Sequence, residues 1–216
     1  MVCGKTADPD HQVIAAVAAV PEQAHVILEA DTTNNSWAFV LWMLPEQGGW
    51  HPEHFNFAAI AIGGKSAKDF WRLAREQHER HHDFNAYLLY ATASQLASRG
   101  ANLQLGIESQ IQDAMKQVPA LPELTGRPPY LWKFGADTFS VVRAGPVSVD
   151  GKLYLVVSYE LSPWPDDQAA DARNHQLIAD FTKAHPEYSE AFSGGMIAEA
   201  REANGPHGYR TVSAAP

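Results

Sequence analysis

Cysteine and long apolar runs are scarce in this chain. Cys3 is the single cysteine among 216 residues, which excludes an intramolecular disulfide and a zinc or iron–sulfur centre built from cysteines. The longest apolar run near the start covers residues 13–20, whereas a membrane-spanning helix needs about 20 apolar residues. Asp8 and Asp10 precede that run, where a secretory signal carries positive charge. The sequence therefore predicts a cytoplasmic protein that does not span a membrane.

Basic residues are also few. Lys and Arg number 16 against 25 Asp and Glu, so the formal charge is −9 at pH 7. This acidic balance argues against binding to duplex nucleic acid, which requires a positive surface. The composition, 45% hydrophobic and 19% charged, excludes an intrinsically disordered chain. We expect a single α+β domain over residues 1–203 and a flexible tail over residues 204–216, where periodicity is lost.

Periodicity and turn residues predict the order of strands and helices. Strand patterns cover residues 25–31, 36–44, 55–62, 130–134, 138–144 and 152–161. Helical patterns cover residues 11–20, 66–99, 103–118, 166–184 and 189–202. Ser66 and Asp69 match the capping box that begins a helix, and Asp150-Gly151 matches a hairpin turn. The helix after Ser66 is amphipathic, and it is long enough that we expect a bend or a break in it.

These elements predict an α+β fold. Short turns between consecutive strands favour antiparallel pairing, and the helices would cover one face of the sheet. We expect a two-layer sandwich of a mainly antiparallel, five- to six-stranded sheet covered by the long amphipathic helix and further helices. The outline resembles PAS-like and profilin-like sensor domains. That resemblance is one of topology, and it implies a ligand or partner site formed by the sheet.

One motif on the long helix could bind zinc. His78, Glu79 and His82 fit the pattern H-E-x-x-H, in which two imidazoles one helical turn apart bind Zn²⁺ and the glutamate takes a proton from bound water. Arg80 departs from the uncharged residues usual at that position, and Glu79 lies on the charged face of the helix, four residues after Arg75. The sequence favours a charged helix surface over a zinc site.

A second histidine cluster precedes the third strand. His51 and His54 bracket Glu53 in a segment, residues 45–54, that is predicted to be a loop. If that loop folds over the helix, the two histidines could complete a metal site with His78 and His82, for which Glu108 is another possible ligand. The alternative, which we favour, is a polar loop that Trp50 anchors to the core.

Two further groups of residues could bind or react. Gly63-Gly64-Lys65-Ser66 is similar to the end of a phosphate loop, but Ala59 stands where the first glycine is needed, so nucleotide hydrolysis is rejected. Lys65 and the helix start could still hold a single anion. We favour the simpler interpretation, in which these residues end the strand and begin the helix. Glu29 and Asp31 alternate onto one strand face as an acid/base pair would, although Asp31 also suits capping of the next turn.

Tryptophans supply the remaining candidate contacts. Strand alternation places Trp37 and Trp42 on opposite faces of their strand, so that one of them can be exposed. Trp50, Trp71 on the helix and Trp164 between two prolines could contact a ligand or partner, because aromatic residues dominate binding hot spots. The alternative is that Trp164 closes the edge of the core.

Three functions remain open from the sequence. The first is a cytoplasmic, non-enzymatic binding or regulatory domain that holds a small ligand or a protein partner between the sheet and the long helix. The second is a zinc-dependent hydrolase with Glu79 as the general base. The third is an acidic protein that neutralises a basic partner, such as a toxin, by complementary charge.

Overall fold

The computed structural model describes residues 13–15, 20, 22–33 and 35–215. The described part is a mixture of strands and helices, which confirms the prediction of an α+β chain. Its strands form separate sheets of four, five and two strands rather than the one sheet that was predicted. The chain divides into two compact units. The first comprises Met1–Arg72 and Tyr90–Gln117, and the second comprises Leu73–Leu89 and Val118–Pro216.

The elements are numbered in chain order. The strands are β1 (Val13–Ala15), β2 (Ala24–Asp31), β3 (Asn35–Glu46), β4 (Gly49–Ile62), β5 (Lys65–Ser66), β6 (Leu103–Leu105), β7 (Tyr130–Phe134), β8 (Asp137–Val149), β9 (Lys152–Leu161), β10 (Gly195–Glu202) and β11 (Gly208–Ser213). The helices are α1 (Ala67–Glu79), α2 (Asp83–Ala97), α3 (Gly106–Met115), α4 (Asp167–Ala184) and α5 (Tyr188–Ala191), with a short 3-10 helix at Pro122–Leu124. No helix among the described residues is both long and apolar enough to cross a bilayer.

The first unit contains an antiparallel meander of β2, β3, β4 and β5 in that order. The predicted loop over residues 45–54 is wrong, because Pro45 pairs with Trp50 and the β3–β4 hairpin continues to a tight turn at residues 47–48. One face of the sheet is buried at Val40, which packs with Leu103 of β6. The chain after α2 lies against β4, since a side chain added at Gly100 would meet Asn56 at 3.0 Å.

The long helical segment is two helices. The predicted capping box is present: the Ser66 backbone N–H donates to Asp69 Oδ2 at 3.0 Å, and the Asp69 N–H donates to Ser66 Oγ at 3.4 Å. The expected break is confirmed at residues 80–82. There His81 adopts the left-handed conformation with φ 61°, and the His82 N–H donates to the Gln77 carbonyl at 3.0 Å. The helical periodicity places His81 on the apolar stripe and so predicts a hydrogen-bonded core histidine. That prediction is wrong, because His81 is exposed.

The second unit is a five-stranded sheet in the order β11-β10-β9-β8-β7. Neighbours are antiparallel except β9 and β10, which run parallel because the chain returns through α4. Asp166 caps α4 by accepting from the Ala169 N–H at 2.8 Å, and the predicted Asp150-Gly151 turn has φ of 51° and 73°. Trp132 and Phe181 stack at 5.4 Å in a buried aromatic core.

The chain ends differ from the predicted helices. The predicted helix over residues 189–202 is wrong beyond Gly195, where β10 pairs with β9. The predicted tail contains β11, which pairs with β10. The backbones are so close that a Cβ at Gly195 would lie 2.0 Å from the Ser213 carbonyl oxygen. Leu103–Leu105 and Val13–Ala15 are paired strands instead of helix. Residues 11, 12 and 16–19 of the predicted first helix lie outside the described residues, and so does Cys3.

Candidate functional site

A cavity of about 390 Å³ opens beside the meander of the first unit. It is lined from four directions: by β2 and β3, by β4, by the start of α1, and by the chain around β6. The lining residues are Glu29, Asp31, Ser36, Ile60, Ala61, Ser66, Ala67, Lys68, Arg99, Leu105 and Ile107. Ala61, Leu105 and Ile107 are buried apolar side chains, so the cavity combines an apolar floor with a charged rim.

Two carboxylates reach the cavity from β2. Glu29 and Asp31 are two positions apart on the strand, so they project to the same side about 7 Å apart, as the alternation predicts. Both line the cavity. The turn that follows is held by Thr32, whose hydroxyl donates to the Asn35 carbonyl at 2.7 Å and accepts from the Asn35 N–H at 3.2 Å. The capping role considered for Asp31 thus belongs to Thr32.

The first turn of α1 forms another wall. Ser66 and Lys68 line the cavity, whereas Lys65, the predicted contact, lies on β5 and is not part of the lining. The side-chain hydrogen bond from Ser66 lowers the pKa of Asp69, which keeps this cap ionised. No sequence pattern singled out Lys68.

Arg99 brings a positive charge to the opposite side. Its Nη1 donates to the Leu96 carbonyl at 2.8 Å and to the Ser98 carbonyl at 3.2 Å, so the side chain satisfies carbonyls at the end of α2. Burial lowers the pKa of Arg99, whereas the negative charges of Glu29 and Glu108 raise it.

Glu108 is a buried carboxylate in the same unit, with 9% of its surface exposed. Burial raises its pKa, against the opposing effects of the Leu105 backbone N–H and the charge of Arg99. Its place in the first turn of α3 explains the bond to Leu105, because a glutamate there can accept from the residue that caps the helix. Arg99 therefore interacts with two carboxylates, Glu29 of the cavity lining and Glu108, which is not part of that lining. Among the lining residues the charges balance, with Glu29 and Asp31 against Lys68 and Arg99.

The H-E-x-x-H motif does not have the geometry that zinc binding requires. α1 ends at Glu79, so His82 lies past the helix end and does not share a helical face with His78. The His82 ring Nδ1 lies 3.1 Å from Gln77 Oε1, and His78 Nδ1 lies 3.7 Å from Asp83 Oδ1. Glu79 is exposed beside Arg75 at 3.8 Å, the pair expected on a charged helix surface.

The second histidine cluster is part of a strand. His51 and His54 are exposed residues of β4, and His51 Nδ1 lies 3.9 Å from Glu46 Oε2 across the hairpin. In the described ranges, no three or more His, Cys, Asp and Glu side chains are grouped to hold a metal ion. The motif and the cluster thus lack the common ligand set that the sequence suggested.

The three tryptophans proposed as contacts have different surroundings. Trp50 is 52% exposed on β4, so its predicted anchoring in the core is wrong. Trp71 is half-buried on α1. Trp164 is half-buried and stacks on His207 with ring centroids 5.8 Å apart.

No family model, no curated protein and no solved structure matches this chain.

Proposed function

We propose that this chain is a non-enzymatic binding protein whose first unit holds a small amphipathic cation, such as an alkylamine. The observation that carries the proposal is the cavity beside the meander, with its apolar floor and the carboxylates of Glu29 and Asp31 on its rim. This proposal develops the first of the three functions that the sequence left open, a binding domain that holds a small ligand between the sheet and the helix.

The size and lining of the cavity suit a small molecule. A volume of about 390 Å³ falls in the range of roughly 300–1,000 Å³ typical of ligand pockets. The apolar floor would remove an alkyl chain from water, which contributes about 0.8 kcal/mol for each buried CH₂ group. A few polar groups at the rim, including the hydroxyls of Ser36 and Ser66, would then orient the ligand.

The charge at the rim favours a cation over an anion. Arg99 interacts with the charges of Glu29 and Glu108, so its positive charge is already shared between two carboxylates. A carboxylate ligand would compete with them for Arg99, whereas an ammonium group would meet two neighbouring carboxylates of β2, Glu29 and Asp31. An ammonium between Glu29 and Asp31 would form charge-assisted hydrogen bonds, which are stronger than neutral ones.

The proposal includes a two-layer arrangement within the first unit, with helical segments over one face of the meander and the pocket between the layers. The sheet would then be the platform for a ligand, as the resemblance to PAS-like and profilin-like domains implies. A cytoplasmic location, a regulatory role and the lack of affinity for duplex nucleic acid stay predictions from the sequence.

Calorimetric titration with hexylamine, hexanoate and hexanol tests this function, because the three share an alkyl chain and differ in the charge of the head group. We expect hexylamine to bind more tightly than the other two. The double substitution Glu29→Gln/Asp31→Asn should weaken that binding at least about tenfold, since two charge-assisted contacts are lost.

Asp113→Asn is the matched control, because Asp113 is an exposed carboxylate of α3 that does not line the cavity. It should leave the affinity for hexylamine unchanged. Equal affinity for hexanoate and hexylamine, or unchanged affinity in the double variant, would contradict the proposal.

A further inference from the structure

The meander has a second face, opposite the one that carries Glu29 and Asp31, and this face is apolar and largely exposed. We call it the aromatic face and define it by six central side chains on β2, β3 and β4. These residues are Val26, Leu28, Trp37, Phe39, Phe55 and Phe57. Their positions alternate with those of Glu29 and Asp31 on β2, so the aromatic face does not include the cavity beside the meander.

Four of the six side chains, Val26, Leu28, Phe55 and Phe57, are exposed, and Trp37 and Phe39 are half-buried. Phe55 is 65% exposed, Phe57 59% and Leu28 55%. They form an ordered surface: Trp37 stacks on Phe57 with ring centroids 4.9 Å apart and planes 4° apart, and Phe39 stacks on Phe55 at 5.6 Å. Contiguous apolar patches of this kind on a protein surface mark interaction sites.

The aromatic face carries no charge in its central rows. The register aligns Leu28 with Phe39 and Phe39 with Phe57. The residues that share this side in those rows are Ala24, Ala30, Leu41, Met43 and Ala59, all of them apolar. A surface without charges does not repel a second copy of itself, whereas a partner with a different sequence is normally selected by opposite charges.

The area is sufficient for a dimer. A fully covered aromatic side chain buries about 150–250 Å², so Phe55 and Phe57 together offer on the order of 250 Å² at their observed exposures. With the neighbouring aliphatic and half-buried aromatic side chains, the patch reaches roughly 600 Å². Two such patches face to face would bury about 1,200 Å², which is the lower bound for a specific interface.

We propose that the aromatic face binds the same face of a second copy of this chain in a two-fold symmetric dimer. The two sheets would pack face to face about 10 Å apart with their aromatic side chains interdigitated. A membrane surface is a poorer fit, because anionic lipids attract basic segments and this chain carries a formal charge of −9.

Sedimentation velocity at increasing protein concentration tests the proposal. We expect a species of twice the chain mass for the unmodified protein. Phe57→Asp should weaken the association roughly thirtyfold or more, because it places a charge within the buried apolar surface. Leu131→Asp is the matched control, since Leu131 is 61% exposed on β7 of the second unit, and it should leave the dimer intact.

Cysteine trapping provides a second readout that does not depend on how Phe57→Asp folds. In a Cys3→Ser background, Phe39→Cys should form a disulfide-linked dimer under mild oxidation, because Phe39 lies on the middle strand of the aromatic face and a residue near a two-fold axis faces its own counterpart. Leu131→Cys should not form one. A monomer at every concentration, an open-ended series of larger species, or a dimer that survives Phe57→Asp and does not cross-link would overturn the proposal.

Discussion

Replacing Glu199 with glutamine is expected to destabilise the five-stranded sheet by about 2 kcal/mol at pH 7. Glu199 is a buried residue of β10. Ser158 Oγ donates to its Oε2 at 2.6 Å, Arg201 Nε donates to the same oxygen at 3.0 Å, and Arg210 Nη2 donates to Oε1 at 2.7 Å. The substitution removes the charge on which both arginines converge.

The magnitude follows from the pKa of Glu199. Burial alone would raise that pKa, but the hydrogen bonds from Arg210 and Ser158 and the charges of Arg201 and Arg210 outweigh burial and lower it from 4.5 to about 2. At about 1.36 kcal/mol for each tenfold change in proton affinity, the ionised form stabilises the fold by roughly 3 kcal/mol. Because the side chains of Arg201 and Arg210 are more than half exposed, solvent screening reduces the expected loss to about 2 kcal/mol.

The same shift predicts how stability depends on pH. The folded-state pKa is lower than the unfolded one, so the stabilisation is complete above about pH 4.5 and is lost as the pH falls toward about 2. Urea unfolding at pH 7 and at about pH 3 measures the loss, and hydrogen exchange of β9, β10 and β11 locates it in the sheet.

Asp150→Asn serves as the control for the Glu199 variant. Asp150 is an exposed carboxylate in the β8–β9 turn, and asparagine tolerates its positive φ of 51°. This variant should keep the stability and the pH dependence of the unmodified protein. If the glutamine variant loses less than about 0.5 kcal/mol, or loses stability in acid as steeply as the unmodified protein, the assigned role of the arginine pair is refuted.

Two other substitutions test the first unit. Ser66→Ala should lower the free energy of unfolding in urea by about 1 kcal/mol, because it removes the hydroxyl that caps α1. The control is Ser109→Ala, which removes a hydroxyl that donates to a carbonyl within α3 and should lower that free energy by less. Equal losses of stability in the two variants would argue against the cap. Glu108→Gln should leave the protein as stable or more stable at pH 7. The pKa of Glu108 is raised, so the folded state favours the neutral carboxyl. The free energy of unfolding of the unmodified protein should therefore approach that of the variant as the pH falls. A variant that is clearly less stable than the unmodified protein at pH 7 would contradict this expectation.

Local features of the fold were predictable because their partners are close in the chain. Ser66 and Asp69 cap α1 from three residues apart, and Asp166 caps α4 through Ala169. The Asp150-Gly151 turn needs two residues that accept a positive φ, and the strands on either side then follow. These interactions join residues that lie within a few positions of each other in the chain, so the pattern of residue types suffices to predict them.

β10 shows where local preference fails. Its residues include Met, Ala, Glu and Arg, which favour helices, and the pattern therefore predicted a helix. In the structure the segment is inserted between β9 and β11, and its first six residues are buried. Pairing with a strand about 40 residues earlier in the chain stabilises the extended form, and that contact has no trace in the local sequence.

The candidate site divides in the same way. Alternation along β2 predicted that Glu29 and Asp31 share a face. Lys68 and Arg99 come from other segments, and only tertiary packing brings them to the cavity of the first unit. Tertiary packing likewise brings Glu108 into electrostatic interaction with Arg99.

The residues of the H-E-x-x-H motif are neighbours in sequence, but α1 ends before His82, so His78 and His82 do not share a helical face. By itself the sequence determined the caps of α1 and α4, the Asp150-Gly151 turn and the strand face that Glu29 and Asp31 share, because these depend on spacing along the backbone. Tertiary structure alone decided which sheet each strand joined and which charges meet, because both depend on contacts between distant segments.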